Sequence, residues 1–250
     1  GFPVSSGSGG SWGAANSGVA VQRACTALYE QLLRSAHGDA RSPLRGLDSA
    51  GAVFSGGNLT IGNASEPLTE LIARNHPQGL EAEGEMASMA DDPNYKDYSI
   101  HAYGAHFAEV GVDADTGELR LRRMLGVFAA GRILNAKTAR SQLIGGMIWG
   151  VSAALHEEAV VDTRSGAFVN RDFASYLVPV HADIPELDAV VLDGFDDKAN
   201  VLGAKGVGEL GICGSGAAVA NAVFNATGVR VREFPLTIEK VLPGLPPIDT

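Results

Sequence analysis

The feature that most restricts what this chain can fold into is a glycine-dense run that leads into an apolar helix pattern. Gly203-Ala-Lys-Gly-Val-Gly-Glu-Leu-Gly211 is followed by Gly214 and Gly216, within reach of the alanine-rich stretch Ser215–Thr227. A loop with so few side chains presents backbone N–H groups, and ahead of a helix these suit an anion or a polar ring. One lysine, Lys205, and one glutamate, Glu209, lie inside it. A second cluster, Gly7-Ser-Gly-Gly-Ser-Trp-Gly13, opens another helical stretch, and a third places Gln142 just ahead of Gly145-Gly146. Glycine makes up 32 of the 250 residues, well above the usual ~7%. Clustering of this kind points to backbone packed closely against something.

By spacing alone each cluster also has a bland reading. The first is a tight turn with Glu209 hydrogen-bonded locally, the second a flexible end, the third a solvent-facing helix glutamine. Gly206, Gly208 and Gly211 spell GxGxxG, but the preceding segment Asp193–Asn200 is acidic and polar instead of a buried strand. The dinucleotide-binding fingerprint is therefore weak.

Along the chain, apolar spacing predicts helices over Gly13–Ala36, Pro67–Asn75, Lys137–Glu158 and Ser215–Thr227, the last closed by Gly228. Ser99–Val112 and Leu119–Phe128 read as strands joined by the turn residues Asp113–Gly117, hence a β-hairpin. Shorter strands are expected at Ala159–Asp162 and Ala189–Leu192, and a helical turn within Pro235–Leu242. Glu81–Tyr98 is polar and aperiodic and reads as an exposed connection. The three glycines inside Lys137–Glu158 each cost a helix about 1 kcal/mol relative to alanine, which implies close approach by another backbone or a ligand. The expected fold is α+β, with mixed sheets packed by helices in two subdomains, 1–80 and 99–250. The glycine clusters are expected to converge on one cleft between the two subdomains, a usual place for ligands.

Composition excludes several classes. Hydrophobic residues at 45% and charged residues at 19% fit a globular chain. A net charge of −10 argues against nucleic acid and anionic membranes as partners. No apolar run reaches the ~18 residues of a membrane span. Cys25 and Cys213 form no framework, so a zinc or iron–sulfur site within the chain is not expected. His156-Glu-Glu-Ala-Val160 lacks the second histidine of HExxH. His101 and His106, five apart in an expected strand, would face opposite sides and share no metal. Cys213 is expected to be a packed thiol. The glycine/serine start is unusual for a free chain end, and the chain is expected to be the C-terminal piece of a longer protein.

Four stretches together carry a resemblance: GSGGSWGAANSGVAVQRAC, RILNAKTARSQLIGGMIWGVSAALHEE, FASYLVPVHADIP and LGAKGVGELGICGSGAAVANAVFNATGVRVREFPLT. In order and spacing, across nearly the whole chain, they resemble the C-terminal part of the molybdenum-binding subunit of the xanthine dehydrogenase/aldehyde oxidase family. Within that family the chain looks most like bacterial, periplasmic-type aldehyde oxidases built from separate subunits. The resemblance implies that Glu209 is the active-site base. It implies that Lys205, Gly206 and Gly208 belong to the cofactor-facing loop, that Gln142 approaches the pterin, and that Gly10, Ser11, Trp12 and Gly13 hold it. The implied cofactor is molybdenum–molybdopterin, in the cytosine dinucleotide form, with no protein ligand to the metal. It further implies an iron–sulfur subunit carrying 2Fe-2S, an FAD subunit, the upstream part of the molybdenum subunit, and an aldehyde or N-heterocycle as substrate. The periplasm, or failing that the cytoplasm, is the implied location. The family's subunit is longer, and its upstream glycine–glutamine loop has no counterpart here, so the isolated chain is expected to be inactive. The rival readings are a non-catalytic nucleotide- or phosphate-binding module and an assembly piece.

Overall fold

The computed structural model describes residues 5, 7–86 and 91–246. Parts of the N-terminal glycine/serine run and of the 81–98 connection thus lie outside the described residues. The chain divides into two compact units, one of Gly1–Ser6 and Ala14–Pro93, the other of Gly7–Gly13 and Asn94–Thr250.

In the first unit, helix α1 (Gly13–Gly38) buries Ala15, Val19, Leu32 and Ala36, pairs four residues apart that share one face. It is followed by an antiparallel meander, β1 (Val53–Ser55), β2 (Asn58–Ile61) and β3 (Ala64–Pro67). Gly56 and Gly57, at φ of 57° and 77°, make the tight β1–β2 turn, where two successive positive φ values match the strand twist. Leu59 and Ile61 alternate inward and meet Leu32, Ala36, Leu44 and Leu71 in a small core. Leu71 comes from α2 (Leu68–Asn75), whose N-cap is Pro67. Beside this core, Arg74 pairs with both Glu66 and Asp39, and Ser42 Oγ donates to Glu66 at 2.6 Å. Glu66, only 2% exposed, is thereby paired. Residues 81–86, expected as an exposed connection, instead lie along α1. Arg23 donates to the Glu85 carbonyl at 2.6 Å, and a Cβ on Gly84 would collide with the backbone of Ala20 and Ala24.

The second unit continues from the short α3 (Pro93–Asp97). A long hairpin, β4 (Tyr103–Val112) and β5 (Leu119–Ala129), turns at Asp113, whose carboxylate accepts from the N–H groups of Asp115 and Thr116. A β-bulge after Glu109 skips Arg122, which explains how Arg122 and Arg123 are both exposed in succession. Helix α4 (Ala136–Leu155) starts at Asn135, whose side chain accepts from Thr138 N–H. A two-stranded ribbon, β6 (Val161–Asp162) and β7 (Ala167–Phe168), comes next, and then β8 (Leu187–Val191), which pairs parallel to β5. One-turn α5 (Leu210–Cys213), α6 (Ser215–Thr227) and α7 (Ile238–Val241) complete the order. Gly228, at φ 74°, ends α6 as a left-handed cap. Phe128 from the sheet, Leu143, Met147 and Val151 from α4, Val219 and Val223 from α6, and Val241 form the core. The fold is α+β, with helices packed on small sheets. No described helix is long and apolar enough to cross a membrane.

Candidate functional site

The three glycine clusters meet within the second unit. The segment before α1 forms a 3₁₀ turn over Gly9–Ser11, with Gly10 at φ 61° and Ser11 at φ 59°. Trp12 Nε1 donates to the Gly7 carbonyl at 2.8 Å and ties the segment to itself. Gly208 N–H donates to the Gly10 carbonyl at 2.8 Å. This approach demands glycine: a Cβ on Gly208 would lie 2.6 Å from the Gly10 carbonyl carbon, and one on Gly206 would lie 2.7 Å from its oxygen. Gly13 is close to Ser8: a Cβ on Gly13 would lie 2.9 Å from the serine's Cβ. From α4, Gln142 Oε1 accepts a 2.8 Å hydrogen bond from Ser11 Oγ, and the glutamine's amide nitrogen has no partner among the described residues.

Glu209 follows Gly208 directly and stands at the N-cap of α5. Its side chain makes no capping bond and no ion pair among the described residues, and the residue is exposed. The bland reading of a locally bonded Glu209 therefore does not hold. The turn that carries it is locked from behind. A Cβ on Gly146 of α4 would lie 2.9 Å from Ile212 N and 3.0 Å from Gly211 Cα, and Gly150 faces Ser215 in the same way. Gly145, in contrast, has open space. The Gly211 carbonyl accepts from Ser215 Oγ at 2.6 Å and from His106 Nε2 at 3.0 Å. Burial pushes the His106 imidazolium's pKa down, only partly offset by that carbonyl bond.

Lys205 is engaged elsewhere. Its ammonium pairs with Asp196 at 2.7 Å and donates to the His101 carbonyl at 3.0 Å. The lysine in turn holds the Asp196 carboxyl below the usual range. Its charge is thus balanced within the protein, while its backbone N–H, bonded to the Ala130 carbonyl at 3.1 Å, fixes the start of the loop. His101 lies before β4 begins, so the two histidines do not share a strand. Cys213 is exposed, not packed, because the single turn of α5 buries Gly211 instead. His181–Asp183 form a local turn in which Asp183 accepts from Val180 N–H. Sequence reasoning missed His106 and Asp196. A lone histidine in mid-strand carries no spacing signal, and Asp196 sits in a loop with other aspartates.

Comparison with known proteins assigns the chain to a class of cofactor-binding domains. The profile of the molybdopterin cofactor-binding domain matches residues 1–185, and the chain belongs to that family. It is 48% identical over 247 residues to the aldehyde oxidoreductase molybdenum-binding subunit PaoC of Escherichia coli (strain K12), covering 99% of this chain and 32% of that protein. It is 29% identical over 240 residues to the 6-hydroxypseudooxynicotine dehydrogenase complex subunit gamma of Paenarthrobacter nicotinovorans, covering 93% of this chain and 30% of that one. Among solved structures, the aldehyde oxidoreductase of Desulfovibrio desulfuricans matches with a TM-score of 0.65 at 26% identity, over 92% of this chain and 22% of that one. Quinoline 2-oxidoreductase from Pseudomonas putida 86 shares the fold, with a TM-score of 0.74 at 23% identity over 93% of this chain and 30% of that one. The chain spans about a third of the length of the curated relatives it matches.

Proposed function

We propose that this chain supplies part of the active site of a molybdenum hydroxylase that oxidises aldehydes, with Glu209 as the general base. The observation that carries the reading is the Glu209 carboxylate: unpartnered among the described residues, exposed, and held on a turn that is fixed to both other glycine clusters. A base must have its lone pair available to the reacting group. A phosphate-binding loop has no use for a carboxylate at that place.

The residues present fit a molybdopterin. The donor set around Gly10–Ser11 is neutral: backbone amides, a hydroxyl and a carboxamide. Among the described residues, and apart from the adjoining ones in the chain, no atom lies within 4 Å of where a Cβ would stand on Gly7, Gly9 or Gly10, which leaves bare backbone for a ligand to approach. Among the described residues no three His, Cys, Asp or Glu side chains gather in metal-binding geometry. The cofactor, when bound, brings its own metal and supplies the two-electron redox chemistry.

The chain's residues position and accept protons. The Gln142 amide nitrogen can donate to an acceptor edge of the pterin, while its Oε1 is fixed by Ser11. The Ser11 oxygen keeps lone pairs for a further donor. The Gly206–Gly208 backbone sets where Glu209 stands, and Glu209 takes onto its carboxylate the proton of the water-derived oxygen nucleophile as that oxygen attacks the substrate carbon. The cytosine dinucleotide form of the cofactor, partner subunits carrying 2Fe-2S and FAD, an N-heterocycle as the alternative substrate and a periplasmic location belong to the same proposal. The similarity to PaoC supports the aldehyde among these substrates.

The test is purification of the protein with its natural partner chains, followed by measurement of bound molybdenum and of aldehyde turnover. One molybdenum per chain and turnover with an aldehyde are expected. An intact assembly that carries phosphate or nucleotide but no molybdenum would replace this reading with that of a binding module.

A further inference from the structure

We infer that His106 is a positioning residue for Glu209: from the sheet, it holds the one-turn helix that presents the base. The inference rests on the reading of Glu209 as that base. Its own grounds are geometric. Helix α5 is a single turn of four residues, too short to hold its shape through its own hydrogen bonds. The bond from Cys213 N–H to the Glu209 carbonyl is long, at 3.3 Å. The orientation of Glu209 therefore depends on what the rest of the turn is tied to.

Besides the backbone packing against α4, the side-chain ties of the turn converge on one atom, the Gly211 carbonyl oxygen, two residues beyond Glu209. Ser215 Oγ donates to it at 2.6 Å, but Ser215 opens α6 and travels with the turn. The second donor, His106 Nε2 at 3.0 Å, comes from 105 residues away on β4, whose backbone is paired along its length with β5. Of the two donors, only His106 fastens the turn to the sheet.

The ring is built into its place. It stands edge-on to the buried Phe128, with centroids 5.2 Å apart and planes at 76°. On the other side Gly214 leaves room, since a Cβ there would fall on the imidazole. A carbonyl oxygen only accepts, so Nε2 carries a proton.

The test compares H106F, H106Q and E209Q in the full enzyme, purified with its natural partners. Phenylalanine keeps a ring and removes the donor; glutamine keeps an N–H donor at a reach close to that of Nε2. The readouts are kcat, KM, bound molybdenum, and hydrogen–deuterium exchange of the backbone from 207 to 216. H106F is expected to lower kcat by about 10- to 100-fold, the scale on which a misplaced catalytic group acts. KM and molybdenum content should stay near wild type, and exchange at Gly211–Ser215 should quicken. H106Q should restore most of kcat and the slow exchange. Wild-type kcat in H106F, or equal losses in H106F and H106Q, overturns the inference. Should H106F lose its molybdenum, H106N decides: its side chain is too short to reach the Gly211 oxygen, so lowered kcat with molybdenum retained supports the inference and wild-type kcat overturns it. An active E209Q would remove the base assignment and this inference with it, whereas an inactive E209Q beside a fully active H106F removes the inference alone.

Discussion

Ser11 donates a 2.8 Å hydrogen bond to Gln142 across a separation of 131 residues. The serine does so from a left-handed backbone, φ 59°, directly after Gly10 at φ 61°. A side chain in that region costs roughly 1–2 kcal/mol, so bond and strain can be separated. Ser11→Ala loses the bond and keeps the strain, whereas Ser11→Gly loses the bond and relieves the strain. Thermal unfolding should therefore show S11G more stable than S11A by about 1 kcal/mol. Both should retain less molybdenum than wild type after gel filtration. Equal stabilities would show that the strain is not there.

Gly208→Ala puts a Cβ 2.6 Å from backbone carbon of Gly10 and 2.8 Å from Ser11 Oγ. Neither Gly10 nor Gly208 can keep its place, and the bond between them should break. Molybdenum content and turnover are expected to fall together. Gly145→Ala serves as the stability contrast, since that glycine sits in the interior of α4 with open space around it. It should raise stability by up to about 1 kcal/mol. A G208A protein with full cofactor would mean that the two loops need not touch.

Helix α4 is legible from its period, and the expectation that its glycines are approached by another backbone or a ligand holds for backbone at Gly146 and Gly150, while Gly145 has open space among the described residues. The β4–β5 hairpin is legible because Asp113–Gly117 concentrates turn chemistry between two long alternating runs. The β1–β3 meander is not, because strands of three and four residues offer too few alternations to stand out. Spacing alone left Glu209, Gln142 and Ser11 with bland readings. Their meeting depends on tertiary contacts between glycines, which leave no side-chain pattern to read. The salt bridge of Lys205 is set by its tertiary contact with the loop that carries Asp196, and the exposure of Cys213 by which face of the single turn of α5 is buried; neither leaves a pattern in the sequence.

Asp39 gives the first unit a pH-sensitive tie. The Arg74 guanidinium, and after it the Arg41 backbone N–H, holds the Asp39 carboxyl well below the usual carboxylate range. A depressed folded value contributes stability above the unfolded value of about 4, and that contribution is lost as pH falls from there through the folded value. The difference in thermal midpoint between wild type and Asp39→Asn should thus be widest near pH 7 and close as pH drops below about 4. A difference that stays constant from pH 7 to pH 3 would contradict the ion pair's role.

The isolated chain should bind an apolar, environment-sensitive dye. Phe173 is 89% exposed, and Val169, Leu177 and Val180 nearby are exposed as well. Phe173 also lines an open cavity of about 470 Å³ together with Ala159, Phe168 and Tyr176. Apolar patches beyond a few hundred Å² are uncommon on free surfaces. Phe173→Ser should weaken dye binding while changing stability by no more than about 0.5 kcal/mol, as expected for a side chain that buries little. An unchanged dye signal would place the apolar surface elsewhere.

The most direct test of the account is Glu209→Gln in the full assembly, with molybdenum content and turnover measured on the same preparation. The amide matches the carboxylate in size but cannot act as a base, and no described contact of the Glu209 side chain would be lost. Loss of a general base typically costs about 10²–10⁴-fold. The account predicts wild-type molybdenum content with turnover lowered by at least the upper end of that range. Turnover within a few-fold of wild type, with the cofactor bound, would contradict it.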